Sequence, residues 1–183
     1  MIWKWVVFLI GSAGVVYLSR RSLRTWRSHG FFRFFAFEAI LGLILLNANV
    51  WFLHPFSVRQ TVSWSLLVVS LFLAIHGFTL LHQIGKPNSS IDDTTRLGIE
   101  KTTHLVTTGA YHYIRHPLYT SLLFLGWGAF LKQPSLLGAL LAVVITIALY
   151  ATARVEESEN LNNFGAEYSQ YMKQTKMFIP LIF

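Results

Sequence analysis

Apolar residues fall in long blocks along this chain, separated by short polar stretches. The first block covers residues 2–18, the second 34–53 and the third 62–81. Each is close to the ~20 residues that one helical bilayer crossing needs. His54-Pro55-Phe56-Ser57 ends the second block, and Gly85-Lys86-Pro87-Asn88-Ser89-Ser90 follows the third; both are turn or loop signals. Two further blocks, 118–131 and 136–152, are joined only by Lys132-Gln133-Pro134-Ser135. The pattern predicts an all-α membrane bundle of about five transmembrane helices, the last two forming a helical hairpin. The fourth block would rise only about 21 Å as a helix, short for a full crossing. A tight, slightly recessed hairpin is expected, with Gly126, Gly128 and Gly138 letting its arms approach.

Composition agrees with this pattern. Hydrophobic residues make up 54% of the 183 and charged residues 13%, with a mean hydropathy of +0.49. Soluble domains average about 25% charged residues, so the chain reads as an integral membrane protein. There is no cysteine, which removes disulfides, thiolate metal sites and cysteine nucleophiles. The net charge of +7 comes from basic residues beside apolar spans rather than on one soluble face. It reads as topology signal and attraction to anionic lipid, and nucleic acid is not an expected partner.

Basic residues also orient the bundle. Arg20, Arg21, Arg24 and Arg27 follow the first block rather than precede it, which fits a retained helix better than a cleaved signal peptide. Twelve Lys and Arg residues fall in the segments 19–33, 82–117 and 153–183, against three (Lys4, Arg59, Lys132) on the other side. The positive-inside rule then puts the N-terminus outside and the C-terminus in the cytoplasm. Phe31, Phe32, Phe34 and Phe35, around Arg33, read as an interfacial aromatic belt.

Two polar clusters fall on the same side. The first runs from Leu105 to Tyr119 and holds Tyr111, His112, Tyr113, Arg115 and His116 ahead of Pro117. Pro117 suits the first turn of a helix, and it biases His116 toward an extended conformation. A helix start beside an arginine suits a carboxylate or phosphate; a plain interfacial anchor is the bland alternative. The second cluster is Arg154-Val155-Glu156-Glu157. Arg154 and Glu157 can pair at i,i+3, while Glu156 points about 100° away from Glu157. Its bland alternative is a solvated helix end. No metal-binding spacing is present: His112 and His116 are four apart, but Pro117 interrupts the helix they would need. There is also no phosphate-cradling glycine loop and no nucleophile elbow. Within the blocks, Glu38 either lines a polar cavity or snorkels to water, and His76 suits an interhelical hydrogen bond.

The clusters belong to an ordered set: Leu105-Val106, Gly109, Tyr111, Arg115-His116-Pro117, Tyr119, Glu156-Glu157, Phe164-Gly165, Glu167-Tyr168, Tyr171 and Ile179-Pro180. This set, over residues 96–183, resembles the isoprenylcysteine carboxyl methyltransferases and their phospholipid methyltransferase relatives. Residues 1–95 match only as helical spans. The resemblance implies an N-terminal helical part and a catalytic region from residue 96. It implies S-adenosylmethionine as methyl donor in a cytosol-facing pocket, and a membrane lipid or lipid-modified acceptor. Thr103, His104, Leu105 and Val106 would hug the donor. Tyr111, Arg115, His116 and Tyr119 would line it, and Glu156 would bind its polar groups. Arg115, Arg154 and Glu157 would serve the chemistry.

One departure bears on the acceptor. The arginine that holds the acceptor carboxylate in the isoprenylcysteine enzymes would fall at Thr152, and Arg154 lies about 200° around the helix from that face. A long insert, Lys86 to Lys101 with Asp92 and Asp93, also precedes the motif. Carboxylate O-methylation, phospholipid amine N-methylation and a non-enzymatic lipid-binding role on the same fold are the readings left open. The tail, with Tyr168 and Tyr171 on an amphipathic stretch, is expected to fold back and cap the pocket or to anchor at the lipid surface.

Overall fold

A computed structural model describes residues 2–26, 28–86 and 102–180. Arg27, the insert beyond Lys86 with Asp92 and Asp93, the expected boundary at residue 95 and the last three residues lie outside the described residues. Five helices follow in order: α1 (Ile2–Ser19), α2 (His29–Asn47), α3 (Val58–Gln83), α4 (Pro117–Phe130) and α5 (Leu136–Gln174). Among the described residues there is no strand beyond an isolated bridge between Ile114 and Lys176. The fold is an all-α membrane bundle. Among the described residues, four helices are long and apolar enough to cross a bilayer; α4, with 14 residues, is the short arm.

Serine caps fix three helix starts. Ser28, Ser57 and Ser135 each accept a backbone N–H of the first turn, from Phe31, Gln60 and Gly138. The Ser28 cap starts α2 five residues before the apolar block, so Phe31 to Phe35 sit in its first two turns.

Two expectations change. The fifth helix does not end near Thr152 but runs to Gln174, broken only at Gly165. Good helix formers (Ala153, Arg154, Glu156, Glu157, Leu161) carry it onward. Up to the break at Gly165 it is about 44 Å long at ~1.5 Å per residue, well beyond the ~30 Å hydrocarbon core, so its acidic part projects past the apolar block. Glu156 and Glu157 are therefore mid-helix residues, not a frayed end.

The hairpin is also looser than expected. α4 packs chiefly on α3, and α5 chiefly on α2. A side chain at Gly126 would meet Ile145 of α5 at 2.9 Å, and one at Gly138 would meet Phe130 of α4 at 3.2 Å, so these two glycines do join the arms. Gly128 instead faces α3, 2.9 Å from Leu67 and 3.2 Å from the Ser63 carbonyl.

The core follows from these pairings. Ala36, Ala39, Ile40 and Leu43 of α2 interlock with Ile145, Ala148, Leu149 and Ala153 of α5. Small side chains let the backbones approach where lipid offers no hydrophobic drive between helices. Short polar side chains add cross-helix hydrogen bonds to carbonyls. Ser63 donates to Gly128 at 2.7 Å, Ser70 to Ser121 at 2.7 Å, and Asn47 to Ala129 at 2.8 Å. α1 lies outside this core and is tied to α2 by Ser12, which donates to Glu38 at 2.6 Å. Glu38, half-buried, is thus bound to a neighbouring helix.

Lys132, which the sequence places in the link between the last two blocks, is fully buried. Its ammonium donates to Gln60 at 3.0 Å and lies 3.5 Å from the ring centre of Trp64 and 5.3 Å from that of Trp51. Burial lowers its pKa from the usual lysine value. The π faces supply the counter-field that a carboxylate would otherwise provide.

Candidate active site

The site is built at the end of the bundle where α4 starts and the acidic half of α5 begins. The lead-in chain returns to α3 at Gly85, whose carbonyl accepts the backbone N–H of Thr103 at 2.9 Å. Gly109 then turns the chain with φ +60°, and any Cβ there would stand 2.6 Å from His76 Nε2. His76 Nε2 accepts the backbone N–H of Ala110 at 3.4 Å, so this histidine does hold an interhelical contact. His116 precedes Pro117, which begins α4.

The tail is clamped to this turn. Arg115 and His116 donate their backbone N–H groups to the Lys176 and Met177 carbonyls at 2.8 and 3.2 Å, and Lys176 donates to Tyr113 at 3.1 Å. Tyr171 donates its hydroxyl to the Tyr111 carbonyl at 2.6 Å. Arg115 donates to Glu157 Oε1 at 2.6 Å through Nε and to the Thr175 carbonyl at 2.5 Å through Nη1. Its Nε and Nη1 are thus engaged by protein groups, while the residue still lines the cleft described below.

Three acidic residues of α5 reach three different elements. Glu156 accepts the Tyr119 hydroxyl from α4. Glu157 takes Arg115, with His116 Nε2 3.5 Å away. Glu159 pairs with the buried His29 at the start of α2, at 2.9 Å. The His116 ring stacks on Tyr119, centroids 5.4 Å apart and planes 17° from parallel. Its Nδ1 faces Glu156 Oε2 at 3.9 Å.

These groups wall a cleft. Leu105, Val106, Tyr111, Arg115, His116, Tyr119 and Glu156 line it as the motif reading expected. Thr103 and His104 do not: the Thr103 hydroxyl turns back to the Gly85 and Lys86 carbonyls, and His104 is exposed. Thr102 takes the wall position instead. Arg154 also points away, 60% exposed, touching only the outer oxygen of Glu157 at 3.7 Å. Thr152 is fully buried, and its hydroxyl donates to the Ala148 carbonyl at 2.7 Å.

Asn160, Phe164, Tyr168 and Tyr171 complete the wall. Phe164 stands in the motif set without a place in the site, and Asn160 in neither polar cluster; with α5 continuous past Thr152, Glu156, Asn160 and Phe164 fall at i, i+4 and i+8 on one stripe. Beyond the Gly165 break, burial raises the pKa values of Tyr168 and Tyr171 above the usual phenol range. The void between these walls, with its open mouth, is about 610 Å³.

Helices long and apolar enough to cross a membrane, with a half-polar cleft at one end of the bundle, define an integral membrane protein. The phospholipid methyltransferase family profile matches residues 58–167, more than half of the chain, and the chain belongs to that family. Methanethiol S-methyltransferase 1 of Bradyrhizobium diazoefficiens is 33% identical over 121 residues, 64% of this chain and 38% of that protein. Protein-S-isoprenylcysteine O-methyltransferase of Schizosaccharomyces pombe is 30% identical over 128 residues, 69% of this chain and 52% of that protein. A nickel-cobalt-cadmium resistance protein of Alcaligenes xylosoxydans xylosoxydans is 37% identical over 82 residues, 44% of this chain and 38% of that protein. The chain thus spans about half or less of the length of these relatives. No solved structure matches it.

Proposed function

We propose that this chain is a membrane methyltransferase that moves a methyl group from S-adenosylmethionine to a lipidic or amphiphilic acceptor, with its cleft facing the cytosol. The observation that carries the reading is the Tyr119–Glu156 pair. It joins α4 to α5 in the wall of a cleft that the motif residues Leu105, Val106, Tyr111, His116, Phe164 and Tyr171 also line. Two of the relatives are named as methyltransferases with different acceptors, a thiol in one and a prenylated cysteine in the other. They support the reaction class and leave the acceptor open.

The donor set fits adenosylmethionine. Glu156, 21% exposed, offers a carboxylate for the ribose hydroxyls or the ammonium, and Asn160 offers an amide for the base. Leu105, Val106 and Phe164 supply apolar wall, and the faces of Tyr119 and His116 suit a sulfonium. Adenosylmethionine supplies an electrophilic methyl carbon on sulfur. The chain's part is to hold the acceptor in line with that carbon and to exclude water.

The reading is tested by calorimetry with adenosylhomocysteine on protein purified in detergent. Micromolar binding is expected, weakened at least tenfold in Glu156→Ala. Unchanged binding in the variant rejects the site; absence of binding in the wild type favours a lipid-binding protein without enzymatic activity.

A further inference from the structure

We propose that α1, α2 and α5 form a resident lipid site at the end of the bundle away from the cleft. It takes one acyl chain of an anionic glycerophospholipid and holds the lipid's phosphate on Lys4. α1 packs chiefly on α2, and a groove runs between it and α5. Trp5 and Phe8 of α1, Leu45 and Leu46 of α2, and Leu137 and Leu141 of α5 line this groove. With its open side it is about 1040 Å³. Gly42 lies at its inner end. A Cβ there would stand 3.8 Å from Leu141 and 4.0 Å from Phe8, in ordinary contact, so glycine leaves open a space that a larger side chain would fill.

An empty groove would leave its lining without dispersion partners, and an acyl chain from the surrounding bilayer supplies them. The outer end of the groove carries Lys4 and Asn49. An ammonium has three donors, and Lys4 gives one to the Leu46 carbonyl at 3.2 Å. Among the described residues no carboxylate pairs with it. Glu38 is taken by Ser12 deeper in the membrane, and the other described acids lie in the distant part of α5. The two other cations at this end are engaged: Arg59 donates to the Lys132 carbonyl, and Lys132 to Gln60. Lys4 and the Asn49 amide therefore have donors left for a phosphate, with a positive charge that favours an anionic lipid.

This lipid is not the methyl acceptor. About 22 Å of helix, at ~1.5 Å per residue, separates Leu141 from Glu156 in the cleft wall. Its part is to seat α1, the least buried of the spans, against α5.

Native mass spectrometry of the whole chain, released from micelles holding equal amounts of phosphatidylglycerol and phosphatidylcholine, tests the site. Phosphatidylglycerol offers no amine, thiol or carboxylate, so it is not consumed as an acceptor. One retained phosphatidylglycerol per chain is expected, preferred about fivefold over phosphatidylcholine, the effect of one basic residue at a membrane surface. Lys4→Ala should still retain a lipid but lose the preference, and Lys4→Arg should keep it. Gly42→Leu, with its own side chain in the groove, should retain none. Its unfolding temperature should also stop responding to added phosphatidylglycerol, which raises that of the wild type. An unchanged preference in Lys4→Ala overturns the inference, and decides the question alone if Gly42→Leu does not fold. Lipid kept at the wild-type level by folded Gly42→Leu overturns it as well, as does a wild-type chain that retains no lipid. So does a dimer that Gly42→Leu dissociates, since a second copy would then occupy the groove.

Discussion

Arg115 and Glu157 form an ion pair at 2.6 Å between residues 42 positions apart, one 10% exposed and the other 3%. The pair fastens the turn before α4 to the middle of α5, and the same guanidinium holds the Thr175 carbonyl at the end of that helix. Removing one member of a buried pair leaves the other charge without a partner, at a cost of about 3–5 kcal/mol. Arg115→Ala and Glu157→Ala should each lower the thermal unfolding temperature in detergent markedly. The double variant should lose less than the sum of the two. Additive losses would show that the two residues act separately.

Lys132 gives the opposite expectation for a buried charge. Its partners are neutral, Gln60 and two indoles, so Lys132→Met relieves a desolvated ammonium and leaves only the amide oxygen of Gln60 unmet. The change in stability should stay within about 2 kcal/mol. Trp64→Ala keeps the charge, removes its nearest face and opens a cavity, and should cost about 3–5 kcal/mol. A Lys132→Met variant that unfolds more readily than Trp64→Ala would mean that the cation itself holds the turn between α4 and α5.

The Gly165 break has φ +56° and ψ −125°, a region almost closed to residues with a side chain. Space is not the constraint, because nothing stands within 4 Å of a Cβ placed there. Gly165→Ala should therefore cost about 1–3 kcal/mol through the backbone alone. Because Phe164 and Tyr168 on either side of the break both line the cleft, adenosylhomocysteine binding should weaken in step. Binding unchanged while stability falls would separate the tail from the site.

Orientation can be read directly, since the chain has no native cysteine to interfere. Gln133→Cys, in the exposed turn between α4 and α5, should react with an impermeant maleimide on intact cells. Glu167→Cys, exposed beyond the Gly165 break, should react only after lysis. The reverse pattern would place the cleft on the outer face.

Much of this was legible in the sequence because membrane spans announce themselves by length and apolarity. The motif also marked both sides of the cleft, Val106 to Tyr119 and Glu156-Glu157. Reading failed where a residue's partner is distant. Nothing around Lys132 signals that Trp51, Trp64 and Gln60 converge on it, and nothing near His29 points to Glu159. Arg115 suited an anion site by type, and only the fold reveals that Glu157 already fills that role. The extent of α5 was underestimated because hydropathy falls at Thr152 while helix propensity does not.

α5 carries Glu156, Glu157 and Glu159 within four consecutive positions, and each meets a different part of the bundle: Tyr119, Arg115 and His29. One helix thus acts as an axle with three spokes, each seated in its own hub. Successive residues stand about 100° apart around the axle. A single residue inserted anywhere between Gly138 and Val155 would turn all three spokes out of their hubs at once, while leaving every local sequence beyond it intact. Spacing along this rod, as much as the identity of the acids on it, keeps the three walls together.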